Sequence, residues 1–400
     1  MKNIKEKVNL YFSSIVTVII SIPFFLNPSI GADWDSYALI GTYKNFMESG
    51  LYTPSRPPGF PLYELLIGLC VKISEFLFLS MEQTILFTQM ILLLSLNFLI
   101  YKFFNKKKDS NYFIYLIAVF SPVFLLSGLT AIDYVLGSLL GFLSLYISMY
   151  SNNKQKEILV SFTLAMSIAT RLSNIIFLIV VLILMRKELK KGFQIFVLST
   201  FLFASFYLIF YLNLYSFYLE NKIYNSWFDL MCIFNLTNTD HDFYNRIGRF
   251  TLKQIPYLGT VGMLIFIGSI RKLKINFKGN NLYFFLVFLF FQLSFLRLPT
   301  EEGHLLPAFI AFAIFVSQNN NKIFITIFLF VLTSNFINLK FFEVDSIDSA
   351  SDINFTFSVE EGYLIQDYYL RDEIAKDKFF HYNNSKNSLL KAWSSGCPNK

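Results

Sequence analysis

Long apolar runs recur from one end of the chain to the other, separated by short basic loops, and nothing else restricts the fold as much. A helix needs about 20 mainly apolar residues to cross the hydrocarbon core of a bilayer. Such runs occupy residues 8–26, 82–104, 111–129, 132–150, 192–218, 254–270, 281–297, 304–318 and 322–340. Residues 158–185 form a further apolar stretch interrupted by Arg171, Ser173 and Asn174. That pattern predicts two short helices meeting in a V, tolerable only where protein or a wet cavity satisfies the turn. The composition agrees: 15% of residues are charged and 54% hydrophobic, against about 25% charged in a soluble domain. The expectation is an all-α polytopic membrane protein of about 11 transmembrane helices, occupying residues 1–340.

Lysine and arginine then orient the chain. With Lys2, Lys5 and Lys7 on the inner side, alternate loops carry Lys106, Lys107 and Lys108; Lys154 and Lys156; Arg186, Lys187, Lys190 and Lys191; and Arg271, Lys272, Lys274 and Lys278. The opposite loops are longer and poorer in basic residues, the positive-inside pattern. The net charge of +7 is thus a topology signal, spread over short loops, and does not point to nucleic acid. Counting residues 61–80 as a span would reverse the triple-lysine loop. Glu64, Lys72 and Glu75 also argue against lipid there, at about 2.5–3.5 kcal/mol for each charge at mid-bilayer. This stretch reads as an interfacial or partly re-entrant helix on the outer face.

Three outer segments result: residues 27–81, 219–253 and the tail 341–400, a small extracytoplasmic cap with too few residues for a large core of its own. The first is the richest. Residues 36–49 place Tyr37, Ile40, Tyr43 and Met47 at helical spacing before Gly50, which predicts an amphipathic helix lying on the membrane. Asp33 and Asp35 stand at its start. Pro54, Pro57, Pro58 and Pro61 then impose a stiff, non-helical path around Arg56 and Gly59. Two carboxylates and an arginine beside lipid headgroups suit transfer of a sugar from a lipid-linked phosphate. That reaction needs a base for the acceptor proton and positive charge for the departing phosphate. Asp33 and Asp35 are also a possible divalent-metal pair; the ordinary alternative is a helix cap at Asp35 and a solvated Asp33.

An acid four residues before a tyrosine, a helix ending in glycine and then R-P-P-G-F-P-L-Y together resemble the GT-C superfamily of polyprenyl-phosphate-dependent membrane glycosyltransferases. The likeness is to the bacterial branch similar to protein mannosyltransferases and lipid A aminoarabinose transferases. SPVFLLSGLTAIDYVLGSLLGFLSLY resembles that family's third and fourth spans, SFTLAMSIATRLSNIIFLIVVLILMRK its short-helix region, and LRLPTEEGHLLPAFIAFAIF its late segment. The likeness covers about residues 8–340 and is strongest over 31–63. Gly303-His304 departs from it, standing where the pattern usually reads Arg-Tyr.

The resemblance implies an inverting sugar transfer on the outer face of the cytoplasmic membrane. The donor is a polyprenyl-phosphate-linked sugar and the acceptor an envelope glycan, lipid or protein. Asp33 matches the loop acid acting as base, with Asp35 as the second carboxylate. Arg56, Arg171 and His304 are candidates for the donor phosphate. Tyr37, Asp133, Arg297 and Glu302 are candidate lining of the substrate cavity. Each has a plainer reading: a snorkelling side chain for Arg171, a helix cap for Asp133, interfacial charges for Arg297, Glu302 and His304. No cofactor is implied beyond the possible metal, and the chain lacks a glycine-rich nucleotide loop.

Asp240-His241-Asp242 lacks helical ligand spacing and a further nearby histidine, and reads as an exposed loop. Cys232 and Cys397 would share a side in this topology and are a candidate disulfide; Asn235 and Asn354 begin glycosylation sequons, which mean little if the chain is bacterial. The rival functions are a transporter or flippase for lipid-linked glycans, a polysaccharide polymerase or ligase, and a scaffold with a decayed site. Transporters generally hold charge at mid-membrane and often show paired repeats, neither of which is visible here.

Overall fold

Each apolar run takes up a helix because a backbone without water must satisfy its own hydrogen bonds. The computed structural model describes residues 2–30, 34–49, 55, 60–77, 79–211, 247–248, 250–297, 302–340, 343–344, 353–354 and 357–365. In chain order the helices are α1 (Lys2–Leu26), α2 (Trp34–Ser49), α3 (Pro61–Leu77), α4 (Met81–Asn105), α5 (Tyr112–Phe120), α6 (Pro122–Leu129), α7 (Tyr134–Tyr150), α8 (Lys156–Thr170), α9 (Ile175–Leu184), α10 (Leu189–Tyr211), α11 (Gly259–Ser269), α12 (Asn281–Arg297), α13 (Leu306–Val316) and α14 (Ile323–Ser334). Three described helices are long and apolar enough to cross a membrane: Asn9–Leu26 within α1, all of α4, and Leu189–Leu208 within α10. The number rises to five if each of two bent pairs is one span.

Side chains sort as a lipid solvent requires. Ile15, Ile19 and Ile22 of α1, Phe87, Ile91 and Phe98 of α4, and Phe193, Phe196, Val197 and Phe201 of α10 are all exposed. A water-facing surface does not expose contiguous large apolar groups on this scale. Inside, Phe103, Phe120, Phe142, Phe177 and Phe284 are fully buried. Phe103 meets Phe142 and Phe284 edge-on, with centroids 6.2 and 5.1 Å apart. Three polar core residues satisfy one another: Ser13, Asn97 and Tyr115 close a triangle between α1, α4 and α5, with 2.6 Å from Ser13 Oγ to Tyr115 Oη, 2.5 Å from Tyr115 Oη to Asn97 Oδ1 and 3.1 Å from Asn97 Nδ2 to Ser13 Oγ.

Hydrogen bonds define two ends of the bundle. At one, Asn111 donates to the Ser317 carbonyl (2.7 Å) and through Nδ2 to that of Asn319 (2.8 Å). Asn319 Oδ1 accepts from the Lys274 N–H at 2.6 Å, and Lys107 Nζ donates to the Ile314 carbonyl. The basic loops 106–108 and 271–278 therefore lie together at this end. At the other, Ala131 N donates to Ile30 O (2.8 Å); Asn335 Nδ2 donates to Phe120 O (2.8 Å) at the break between α5 and α6.

α8 and α9 meet at Leu172–Asn174, a single 3-10 turn, and run in opposite directions. Ser167 Oγ reaches the Gly137 carbonyl at 2.8 Å, so α8 runs against α7. Gly137 lies on Asn174 and Gly141 on the Phe177 ring, so α9 runs with α7. The V expected from Arg171, Ser173 and Asn174 is present.

Several boundaries differ from expectation. Residues 111–129 are two helices bent by 44°, because Pro122 has no N–H to continue the ladder and Ser121 caps the second helix. Residues 250–257 and 259–272 diverge by 100° at Gly259, whose φ of +68° suits a residue without a Cβ. Residues 322–340 do not stay helical: α14 ends at Ser334, and Ile337–Lys340 is a strand, β1. It pairs antiparallel with β4 (Ser358–Glu361), while β2 (Glu343–Val344) pairs with β3 (Ile353–Asn354). Leu364, just beyond β4, is fully buried, so this described part of the tail is docked on the helices.

α2 also differs. Its Tyr37 and Ile40 are buried in a second core with Tyr63, Ile67 and Cys70, and Tyr43 packs on Gly68. The stripe assigned to the membrane thus faces α3, while Phe46 and Met47 stay exposed. α3 buries Tyr63, Glu64, Ile67 and Cys70 and exposes Leu65, Leu69, Ile73 and Phe76.

Candidate functional site

Three breaks between helices converge at the end remote from the basic loops. In the first, Thr130 ends α6 by donating its N–H to Leu126 O (3.1 Å), and Ala131 is held by Ile30. Asp133 then stands immediately before α7, in the position of a cap, yet its side chain makes no cap hydrogen bond. Its Oδ1 instead accepts from Arg171 Nη1 at 2.7 Å.

Arg171 occupies the second break. Extended backbone after α8 (φ −158°, ψ 121°) stops the helix, and the Asn174 N–H closes the turn on the Arg171 carbonyl at 3.0 Å. The guanidinium lies 4.2 Å above the Tyr134 ring, a stacked cation that contributes most when desolvated. Arg171 is 8% exposed and Asp133 1%. Snorkelling and plain capping are therefore not what these two side chains do.

The third break, Glu302–Leu305, joins α12 to α13 and brings in His304. Arg171 Nη2 lies 2.8 Å from its Nδ1 and 2.7 Å from its Nε2, and donates to whichever of the two the tautomer leaves unprotonated. The ring also lies 5.4 Å from Tyr134 and 6.4 Å from Phe295, centroid to centroid. A Cβ at position 303 would collide with the Tyr134 ring. Gly303 is thus required for the close approach, and the Gly-His departure forms one self-consistent contact.

Arg171 arrives here already paired. Burying two opposite charges is tolerable only with good geometry and further hydrogen bonds, which Asp133, His304 and Tyr134 supply. A phosphate reaching this arginine must share it with Asp133, so the cluster is first a rigid frame and only then an anion site. A second network supports it: Gln89 Nε2 donates to Ile132 O at 3.2 Å and also to Tyr63 Oη, joining α4 and α3 to the residue before Asp133.

The remaining candidates divide. Asp33 and Arg56 lie outside the described residues, as do Asp240-His241-Asp242, Cys232, Cys397 and Asn235. Asn354 falls within β3. Asp35 is the second residue of α2, inside its first turn rather than at its cap. Arg297 ends α12 and Glu302 begins the turn to His304. Tyr37 is buried in the second core. Among the described residues no three His, Cys, Asp or Glu side chains group as a metal site. Sequence reasoning missed Tyr134, Gln89 and Tyr63; only the adjacency of Tyr134 to Asp133 offered a sign.

No protein-family model, curated protein or solved structure matches the chain. Fold and site define a mainly helical protein with helices suited to a membrane and a buried Asp-Arg-His cluster at one end.

Proposed function

We propose that the protein is a glycosyltransferase that takes a sugar from a polyprenyl-phosphate donor and passes it to an envelope glycan, lipid or protein. The observation that carries the reading is the convergence of Asp133, Arg171 and His304 at the end opposite the basic loops, beside the segment leading to Asp33, which Ala131 anchors at Ile30. The reading includes eleven passes: α1, α4, the α5–α6 pair, and α7 through α14. It places the N-terminus and basic loops inside the cytoplasmic membrane and the cluster outside. The resemblance of residues 31–63 to GT-C glycosyltransferases supports the same assignment.

In this mechanism the acceptor hydroxyl attacks the anomeric carbon from the face opposite the phosphate. Asp33 takes the hydroxyl proton, the new glycosidic bond forms, and the sugar–oxygen bond to phosphate breaks, releasing polyprenyl phosphate with inverted anomeric configuration. Arg56 stabilises charge on the leaving phosphate. Asp133 and His304 hold Arg171 in one orientation, and Tyr37, Arg297 and Glu302 are further candidates for lining the substrate site. A divalent ion held by Asp33 and Asp35 would add charge at the same phosphate. A transporter is less well supported, because the buried Asp133–Arg171 pair stands at breaks between helices rather than within a span, and the sequence shows no paired repeat. Asp33→Asn should abolish transfer while leaving expression and thermal stability unchanged. Full activity in that variant would sink the base assignment.

A further inference from the structure

Two of the basic loops are tied into one surface. Gln318 Nε2 donates to the Lys108 carbonyl at 3.1 Å. One residue on, Asn319, itself buried, grips the Lys274 backbone twice: its Oδ1 accepts from the Lys274 N–H at 2.6 Å and its Nδ2 donates to the Lys274 carbonyl at 3.2 Å. The joined loops expose Lys106, Lys108, Arg271, Lys272, Lys274 and Lys278. Asp109 is the one acid in residues 105–110 and 270–280, and among the described residues none of these six cations stands in an ion pair. The basic loop 186–191 differs, since Lys191 pairs with Glu157 at 3.8 Å and also with Glu188. Apolar side chains stand between the six charges. Ile275 is 57% exposed and Phe277 49%, although the Phe277 ring also packs edge-on against Phe285 with centroids 4.9 Å apart.

Neither water nor hydrocarbon suits this mixture. Water leaves Ile275 and Phe277 unburied, and hydrocarbon leaves six charges unsolvated. The headgroup layer satisfies both, with phosphates for the cations and the start of the acyl chains for the apolar groups. We infer that residues 270–278, with Lys106 and Lys108, form a docking surface for anionic phospholipid headgroups, such as phosphatidylglycerol, at the end of the bundle opposite the Arg171 cluster. Holding loops on one side of a membrane needs only their charge; it asks neither for a pinned backbone nor for exposed Ile275 and Phe277. Asn319 gives the surface its order, because a backbone already fixed at Lys274 loses little further freedom when a phosphate binds. The charge excess sets the preference: a zwitterionic headgroup brings its own cation and gains less. The inference needs the membrane and not the transferase reading.

The test puts the full-length protein into nanodiscs of phosphatidylcholine with increasing fractions of phosphatidylglycerol, and native mass spectrometry counts the phosphatidylglycerol retained. Wild type is expected to retain it in preference to phosphatidylcholine, and less of it as salt rises. A basic residue near a membrane surface is worth about fivefold in affinity, so Lys272→Gln/Lys274→Gln/Lys278→Gln should weaken retention by about 100-fold. Arg186→Gln/Lys187→Gln/Lys190→Gln removes the same charge from the other loop and should leave most of the preference. Ile275→Ser should weaken retention with an unchanged salt slope, since it removes no charge. Equal loss from the two triple variants would overturn the proposal, reducing it to diffuse attraction of basic loops. So would a wild type that retains both lipids alike. A loss of retention in inorganic phosphate that chloride of equal ionic strength does not cause would also overturn it, marking a site for a free anion. If the first triple variant does not insert, Lys274→Gln alone replaces it, because its backbone keeps both bonds to Asn319. About fivefold weakening is then expected, and unchanged retention would contradict the docking surface.

Discussion

The Arg171 guanidinium gives one nitrogen to Asp133, another to His304 and its face to Tyr134. With both charges buried, each depends on the other, and removing one strands its partner in low dielectric. Arg171→Gln should therefore lose about 3–5 kcal/mol of stability, seen as a lower midpoint of thermal unfolding in detergent. The double variant Asp133→Asn/Arg171→Gln should recover more than half of it; two single variants without effect would show the pair to be idle. At the opposite end Lys107 donates to the Ile314 carbonyl in the last turn of α13 and lies 5.2 Å over the Phe284 ring. Burial pushes its ammonium from the ordinary 10.5 down to about 7, although carbonyl and ring favour the charged form. Between those two values the unfolded chain holds the proton more often than the folded one, so stability rises with pH across that window. Lys107→Met should flatten this slope in pH-dependent unfolding.

At the scale of elements, α7, α8 and α9 pack closely because small residues stand where backbones meet. Ser167 reaches the Gly137 carbonyl, and a Cβ at Gly141 would strike the Phe177 ring. Small residues at helix contacts are the usual means of association in lipid. Gly141→Val should destabilise the protein by about 1–3 kcal/mol through overpacking, and Gly141→Val/Phe177→Leu should recover part of it; an unchanged midpoint in the single variant would mean α9 does not pack on α7 as described. The V of α8 and α9 was legible, since Arg171, Ser173 and Asn174 interrupt an otherwise apolar run. The bend in residues 111–129 was less so: Pro122 marks it, but what makes it tolerable is Asn335, more than two hundred residues away, donating to the freed Phe120 carbonyl. The stripe of α2 was legible as a stripe and misassigned in direction, because periodicity shows that a face is buried and not whether lipid or Gly68 of α3 buries it.

For the molecule as a whole, apolar run length carried most of the helical order, since it follows from the solvent rather than from pairwise contacts. The ring of contacts around Arg171 was only half visible. Asp133, Arg171 and His304 stood out as charged or polar groups beside apolar runs. Their pairing joins residues 38 and 133 positions apart, and no local pattern encodes it. Under the proposed function, the cluster around Arg171 and the contact of Ala131 with Ile30 belong to one site, at which a lipid-linked sugar donor would be consumed at the end opposite the basic loops. The most direct test is donor consumption by the purified protein in nanodiscs, using a radiolabelled polyprenyl-phosphate sugar with cell-envelope glycolipid as acceptor. The account predicts label moving from donor to acceptor with wild type and none moving with Asp33→Asn at equal folding. Donor left intact by well-folded wild type, across pentose and hexose donors, would contradict it.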